Sequence, residues 1–264
     1  MATIKFGTSG WREIIARDFT FDNVRLATQG IADYLSKVQS PKSKVVILGY
    51  DTRFLAKEFA LASAEVLAAN HFEPLLCDRD TPTPVIAHTI RHRKAIGGIN
   101  FTASHNPAGP DGDFGLKFNV ATGGQASESL TARIYDASKS LSRYRIAENL
   151  SVDLDRRGPQ TVGGLPVEVV DVVDDYAALM QTLFDFDRIR EWLKKGHSIR
   201  FDAMHAVTGP YARRIFVDML GAAPDSILNA HPLEDFGGGH PDPNLVYAKP
   251  LVDLCMSEHG PDLG

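Results

Sequence analysis

The run Thr102-Ala103-Ser104-His105-Asn106-Pro107 sets a hydroxyl, an imidazole and a carboxamide side by side just where an apolar stretch ends. Ala95 to Phe101 reads as a short buried strand, and Pro107, Gly109, Pro110 and Gly112 forbid helix continuation, so Ser104 is expected at a strand tip on a constrained turn. A serine held there can serve as a nucleophile or a phosphate carrier. His105 can exchange a proton near neutral pH, and Asn106 can fix the loop through side-chain hydrogen bonds. A lone Ser-His pair is more often a solvated polar turn, so the elements around it have to decide.

Those elements alternate. Apolar residues recur at helical spacing from Phe21 through Val24, Leu26, Ala27, Ile31, Leu35 and Val38, and Pro41 closes the segment. Lys44 to Tyr50 is a β-branched strand running into Asp51-Thr52-Arg53, and Lys57 to Asn70 is an alanine- and leucine-rich helix. Glu73 to Cys77 reads as a strand, Thr81 to Pro84 as a loop, Val85 to His92 as a short helix, then the strand that feeds Ser104. Gly115 to Val120 and a helix over Glu128 to Ser140 follow, and Arg143 to Pro166, aperiodic and charged, reads as an edge connection. The rhythm restarts with a strand at Val167 to Val170, helices at Asp174 to Phe184 and Asp187 to Lys195, and a buried strand at Ser198 to Ala203. A helix at Tyr211 to Leu220 capped by Gly221, a strand at Ser226 to Asn229, a loop at Leu233 to Asn244 and a helix at Tyr247 to Glu258 complete it.

Strands alternating with helices predict an α/β fold: a mixed, mainly parallel sheet sandwiched by helices. One complete domain over residues 1–174 and an incomplete second domain of similar type over 175–264 are expected, because no strand is read after the last helix. In such sheets ligands favour the carboxyl ends of strands, where Ser104 and Asp51-Thr52-Arg53 both fall.

The composition narrows the chemistry. The 264 residues are 44% hydrophobic, and 28 basic residues are interspersed with 33 acidic ones, so no nucleic-acid or anionic-membrane surface is expected. No apolar run approaches the roughly 20 residues of a membrane span, and Met1 to Lys5 carries no signal-peptide core. Cys77 and Cys255 lie in apolar stretches and read as buried free thiols in a reducing, cytoplasmic protein.

Four separated motifs then occur in a familiar order: Gly7-Thr8-Ser9-Gly10-Trp11-Arg12, the Ser104 loop, Gly112-Asp113-Phe114-Gly115-Leu116-Lys117-Phe118-Asn119, and Asp202-Ala203-Met204-His205. With these the chain, from about Phe6 to Gly264, resembles the α-D-phosphohexomutase family, and most closely its phosphoglucomutase branch, to which Pro232-Leu233-Glu234-Asp235-Phe236-Gly237-Gly238 and His240 to Leu245 also point. The resemblance implies that Ser104 carries a phosphoryl group to a hexose phosphate and recovers one from the sugar bisphosphate. Glucose 1-phosphate and glucose 6-phosphate would be interconverted with glucose 1,6-bisphosphate as intermediate and activator. It implies that Arg12 and Lys117 are the cations that neutralise phosphate and assist proton transfer, for which Lys117 needs a lowered pKa. His105 would support the loop or the phosphate, Ser9 would shape the Arg12 loop, and Asn106 would support the serine turn.

The same resemblance implies Mg²⁺, held by the phosphate on Ser104 and by three aspartates of an Asp-Gly-Asp-Gly-Asp-Arg loop that this sequence does not contain. Domains three and four of the family are also absent from it, so little or no mutase turnover is expected of this polypeptide alone, and an unfinished sheet edge is expected to favour self-association. Asp235, His240 and Asp242 lack ligand spacing and are not read as a metal cluster, Asp111-Gly112-Asp113 is not read as a Mg²⁺ loop, and His205 is read as structural. Two further classes of function remain open at this point: a noncatalytic sugar-phosphate binding or scaffold protein, and a sibling phosphomannomutase or phosphoglucosamine mutase.

Overall fold

Four runs rich in apolar and β-branched residues lie side by side and parallel at the centre of the first unit: β2 (Val45–Tyr50), β3 (Glu73–Cys77), β4 (Gly97–Phe101) and β7 (Leu165–Val170). The computed structural model that shows this describes residues 4, 6, 7, 10–37, 43–109, 111–139 and 141–264. Antiparallel strands finish both margins, β5 (Asp113–Val120) and β1 (Trp11–Ile14) on one side and β6 (Gly158–Val162) on the other. The seven strands run in the order β1-β5-β4-β2-β3-β7-β6. Both edges are therefore antiparallel additions to a parallel centre, the mixed and mainly parallel α/β sheet expected.

Side-chain alternation sorts the two faces. Val46, Leu48 and Tyr50 of β2 join Ile99, Phe101, Phe114 and Leu116 in the main core, covered by α1 (Phe21–Ser36) and α2 (Ala56–Ala69). α4 (Glu128–Lys139) packs on α1, where a Cβ at Gly30 would lie 2.9 Å from the Ser138 Cβ. Ile47 faces the other way, and α3 (Thr83–His92) covers that side so closely that Gly98 is needed beside Ile90. An aromatic cluster ties the first layer together: Phe19 stacks on Trp11 at 4.5 Å and meets Phe59 edge-on at 5.0 Å, while Phe59 and Phe114 are 5.3 Å apart. Cys77 is buried in β3, and burial pushes its thiol up to about 12.

The boundaries differ from the sequence reading where local rules compete. α3 begins at Thr83 inside the expected loop, because Pro84 sits in the first turn, where its missing N–H is not needed. β6 arises inside the stretch read as an irregular connection: Gly163 and Gly164, with φ of 57° and 80°, make a two-residue turn that pairs Val162 with Leu165. β1 likewise forms in the segment read only as a motif. Val38, Pro41, Pro110 and Ser140, used as markers in the sequence, lie outside the described residues, as does Ser9.

By internal contacts the second compact unit comprises Val173–Gly264 together with Thr52–Phe54 and Ser104–Gly109, and the first unit holds the remainder. The serine loop is thus grouped apart from the sheet it grows out of, whereas the sequence reading placed it within residues 1–174. Past α5 (Val172–Leu183), α6 (Phe186–Lys194) is capped by Asp185, whose carboxylate accepts from the Arg188 N–H at 3.0 Å. Strand content is lower than expected, two residues each in β8 (Phe201–Asp202) and β9 (Ile227–Leu228), which pair in parallel. The helix expected over Tyr211 to Leu220 begins as α7 (Gly209–Ala212) and widens to π-helix at Arg213–Met219. Tyr211 in α7 meets Tyr176 edge-on at 6.3 Å, and Phe216 in the π-helical segment lies 5.7 Å from Phe201.

After α8 (Lys249–Cys255), Leu263 forms an isolated parallel bridge with Ile199, and the Arg200 N–H donates to the Leu263 carbonyl at 2.9 Å. Cys255 is half-buried rather than a core residue, because α8 presents no fully buried side chain.

Phe59 joins both helices of the covering layer to the sheet, so Phe59→Ala is expected to lower unfolding free energy by about 3–5 kcal/mol in urea titration.

Candidate functional site

Ser104 follows β4 by three residues, and the Thr102 N–H still donates to the Gly115 carbonyl at 2.9 Å, so the ladder runs almost to the serine. There the backbone turns left-handed, Ser104 having φ of 61°, a conformation that costs a non-glycine residue about 1 kcal/mol or more. The turn exposes the hydroxyl. Ser104 Oγ lies 3.3 Å from His105 Nδ1, so serine and imidazole can share a proton.

What holds this strained turn is a residue that the sequence reading placed at a strand's carboxyl end but gave no role. Arg53, only 4% exposed, donates from Nη1 to the Pro107 carbonyl at 3.0 Å and from Nη2 to the carbonyls of Ser104 at 3.1 Å and Asn106 at 2.6 Å. Its planar fork matches several acceptors at once, which an ammonium on a flexible stem does not. Asn106 therefore contributes its backbone carbonyl to fixing the loop. The signal for Arg53 was its place just past the carboxyl end of β2, which the sequence had marked as ligand-favouring.

Arg12 and Lys117 come together separately, on the paired strands β1 and β5, where Arg12 stands opposite Gly115. Close approach is built in. A Cβ at Gly115 would lie 2.4 Å from the Thr102 carbonyl oxygen, and one at Gly10, whose φ is 87°, would lie 2.9 Å from Lys117 Cγ. Lys117 is 8% exposed; burial, then the nearby Arg12 guanidinium, hold its ammonium below the usual lysine range, with Asp51 opposing. The shift is in the direction that a lysine acting as a proton carrier requires. Arg12 Nε is buried with no hydrogen-bond partner among the described residues, a donor left over for an anion.

His205, Asp235, Asp242 and His240 make local contacts. His205 Nδ1 lies 2.9 Å from the His231 carbonyl, Asp235 accepts from the Gly237 N–H, and Asp242 accepts from the Asn244 amide. His240 stacks on Tyr247 at 4.0 Å. Among the described residues no group of three or more His, Cys, Asp or Glu side chains could hold a metal ion. The residues here thus do not fit a Mg²⁺ site by themselves, since a hard divalent cation wants six or more oxygens, several of them carboxylate. No helix among the described residues is long and apolar enough to cross a membrane.

Two variants test this geometry. Gly115→Ala forces carbon against a backbone oxygen and is expected to destabilise by about 1–3 kcal/mol in thermal or urea unfolding. Lys117→Met is expected to unfold at higher urea than the parent at pH 7. The parent lysine binds its proton less tightly folded than unfolded, so parental stability rises as pH climbs from the folded value toward 10.5, and the advantage of the methionine variant shrinks over that window.

Comparison with known proteins identifies the family. The family model for phosphoglucomutase/phosphomannomutase, alpha/beta/alpha domain I, matches residues 3–145. The chain is 45% identical over 265 residues to the chloroplastic phosphoglucomutase of Arabidopsis thaliana, covering 98% of this chain and 42% of that protein. It is 42% identical over 262 residues to the phosphoglucomutase of Rhizobium radiobacter, covering 98% of this chain and 48% of that one. Among solved structures, the open form of the Paramecium exocytosis-sensitive phosphoprotein pp63/parafusin superposes with a TM-score of 0.88 at 37% identity, over 97% of this chain and 48% of that one. A phosphomannomutase-like protein from Thermus thermophilus gives 0.79 at 27% identity, over 98% and 54%. The chain spans about half the length of the relatives it matches. With its sheet, its serine loop and more than half its residues matched by the family model, the chain belongs to the phosphoglucomutase/phosphomannomutase family of α-D-phosphohexomutases.

Proposed function

We propose that this chain carries the phosphoserine half-reaction of a phosphoglucomutase, with Ser104 as phosphoryl carrier between glucose 1-phosphate and glucose 6-phosphate through glucose 1,6-bisphosphate. The observation that carries the reading is the Ser104 turn itself. An exposed hydroxyl sits in a left-handed backbone conformation, 3.3 Å from His105 Nδ1, on a loop whose carbonyls are gripped by Arg53. Strain of this kind persists only where the surroundings over-determine it, and it clusters at sites of chemistry.

In loading, Ser104 Oγ attacks phosphorus of the sugar bisphosphate, the bond from phosphorus to the sugar oxygen breaks as the bond to Oγ forms, and the serine proton passes to His105. The sugar oxygen leaves as an alkoxide that takes a proton. The reverse step uses the other sugar hydroxyl as nucleophile. Arg12, whose Nε has no partner among the described residues, supplies a donor to phosphate oxygens, and Lys117, with its lowered pKa, takes and returns the sugar proton. Phosphoryl transfer depends chiefly on positioning and charge, and these groups supply both. The family expectation of Mg²⁺ is met by no group of side chains among the described residues. Ser9 and Asn106 are proposed as loop supports.

Incubating the chain with glucose 1,6-bisphosphate and Mg²⁺ is expected to add one phosphate, mapped by peptide mass to Ser104 and absent from Ser104→Ala. A folded chain that takes up no phosphate, or takes it elsewhere, overturns the proposal.

A further inference from the structure

The phrase Pro232 to Gly239 has no role in the chemistry above, yet it ends in a contact with the residue that holds the serine loop. Phe236 is 4% exposed, and its ring face lies 5.0 Å from the guanidinium carbon of Arg53. The geometry is that of a cation over an aromatic face, which gains strength where water is excluded. Phe236 itself has φ of 55°, a left-handed conformation that a bulky residue avoids unless held.

It is held from several sides. Its N–H donates to the Leu233 carbonyl at 3.1 Å, and the Leu233 N–H donates to the His205 carbonyl at 2.8 Å. The Asp235 carboxylate accepts from the Gly237 N–H at 2.9 Å. Gly237 lies so near the His205 ring that a Cβ there would be 2.7 Å from Cδ2, which leaves only glycine at that place. His205 in turn donates its N–H to the Asn229 carbonyl at 3.1 Å, just past β9. A continuous set of contacts thus runs from the end of the small sheet through His205 and Phe236 to Arg53, and on to the carbonyls of Ser104, Asn106 and Pro107.

We infer that Phe236 is a positioning residue for the Ser104 loop, acting through Arg53. Its functional meaning rests on the reading of Ser104 as phosphoryl carrier, but its physical content does not. The ring fixes the plane of the guanidinium, and the guanidinium fixes the three carbonyls that keep Ser104 left-handed.

The test is backbone ¹⁵N relaxation on the full chain, without substrate, for the parent, Phe236→Leu, Phe236→Tyr and Arg53→Lys. Order parameters at Ser104, His105, Asn106, Ala108 and Gly109 are expected to fall from about 0.85 to below about 0.6 in Phe236→Leu and Arg53→Lys. Thr102 and residues 201–229 are expected to stay rigid, and Phe236→Tyr, which keeps the ring face, is expected to match the parent. Where Ser104 accepts phosphate, Phe236→Leu is also expected to slow loading about ten-fold at saturating glucose 1,6-bisphosphate with the half-saturating concentration unchanged. A serine loop unchanged in Phe236→Leu, loosening spread equally over residues 201–239, or a tyrosine variant as loose as the leucine one overturns the inference. Because order parameters are read without substrate, failure of phosphoryl transfer does not alter them, and the two readings fail separately.

Discussion

One guanidinium ties together three carbonyls of the Ser104 turn. A serine in left-handed backbone is unfavourable by itself, and three carbonyls brought close enough to share a donor repel one another; Arg53 offsets both by spreading one positive charge across a rigid fork. Burial makes the arrangement stronger and less forgiving. With little water available to replace a lost hydrogen bond, the loop is either fully held or released, which gives a definite position to the hydroxyl.

The first unit carries a second, different constraint, the approach of backbones around Lys117. Gly10 and Gly115 remove the Cβ atoms that would keep β1, β5 and the Thr102 carbonyl apart, and the lysine side chain fills part of the space. Desolvation of its ammonium follows from that closeness, not from any single neighbour, although Arg12 adds to it. A glycine pattern thereby becomes an acid–base property, with packing as the intermediate cause.

Legibility in the sequence followed the same division between local rules and long-range ones. β2, β3 and α2 were readable almost to the residue because apolar periodicity and Gly or Pro punctuation agree there. β1 and β6 were not: β1 is an edge strand whose partner β5 is distant in sequence, and in the β6–β7 hairpin Gly158, Pro159 and the Gly163-Gly164 turn masked the strand as loop. Ser104, His105 and Lys117 stood out through their motifs, whereas Arg53 acts through backbone carbonyls more than 50 positions away and leaves no pattern of its own. The π-helical widening at Arg213–Met219 was invisible as well, since the apolar spacing there reads as an ordinary helix.

The two cysteines differ in a way that turns the protein into its own probe. Cys77 is sealed in β3 with its thiol pushed up to about 12, so in the native state it is neither exposed nor ionised and an alkylating reagent meets it only when the central sheet opens. Cys255 is half-buried on α8 and needs no such opening. Labelling of one thiol therefore times rupture of the parallel sheet, while the other counts molecules from the start, and the pair reads opening kinetics without any introduced tag.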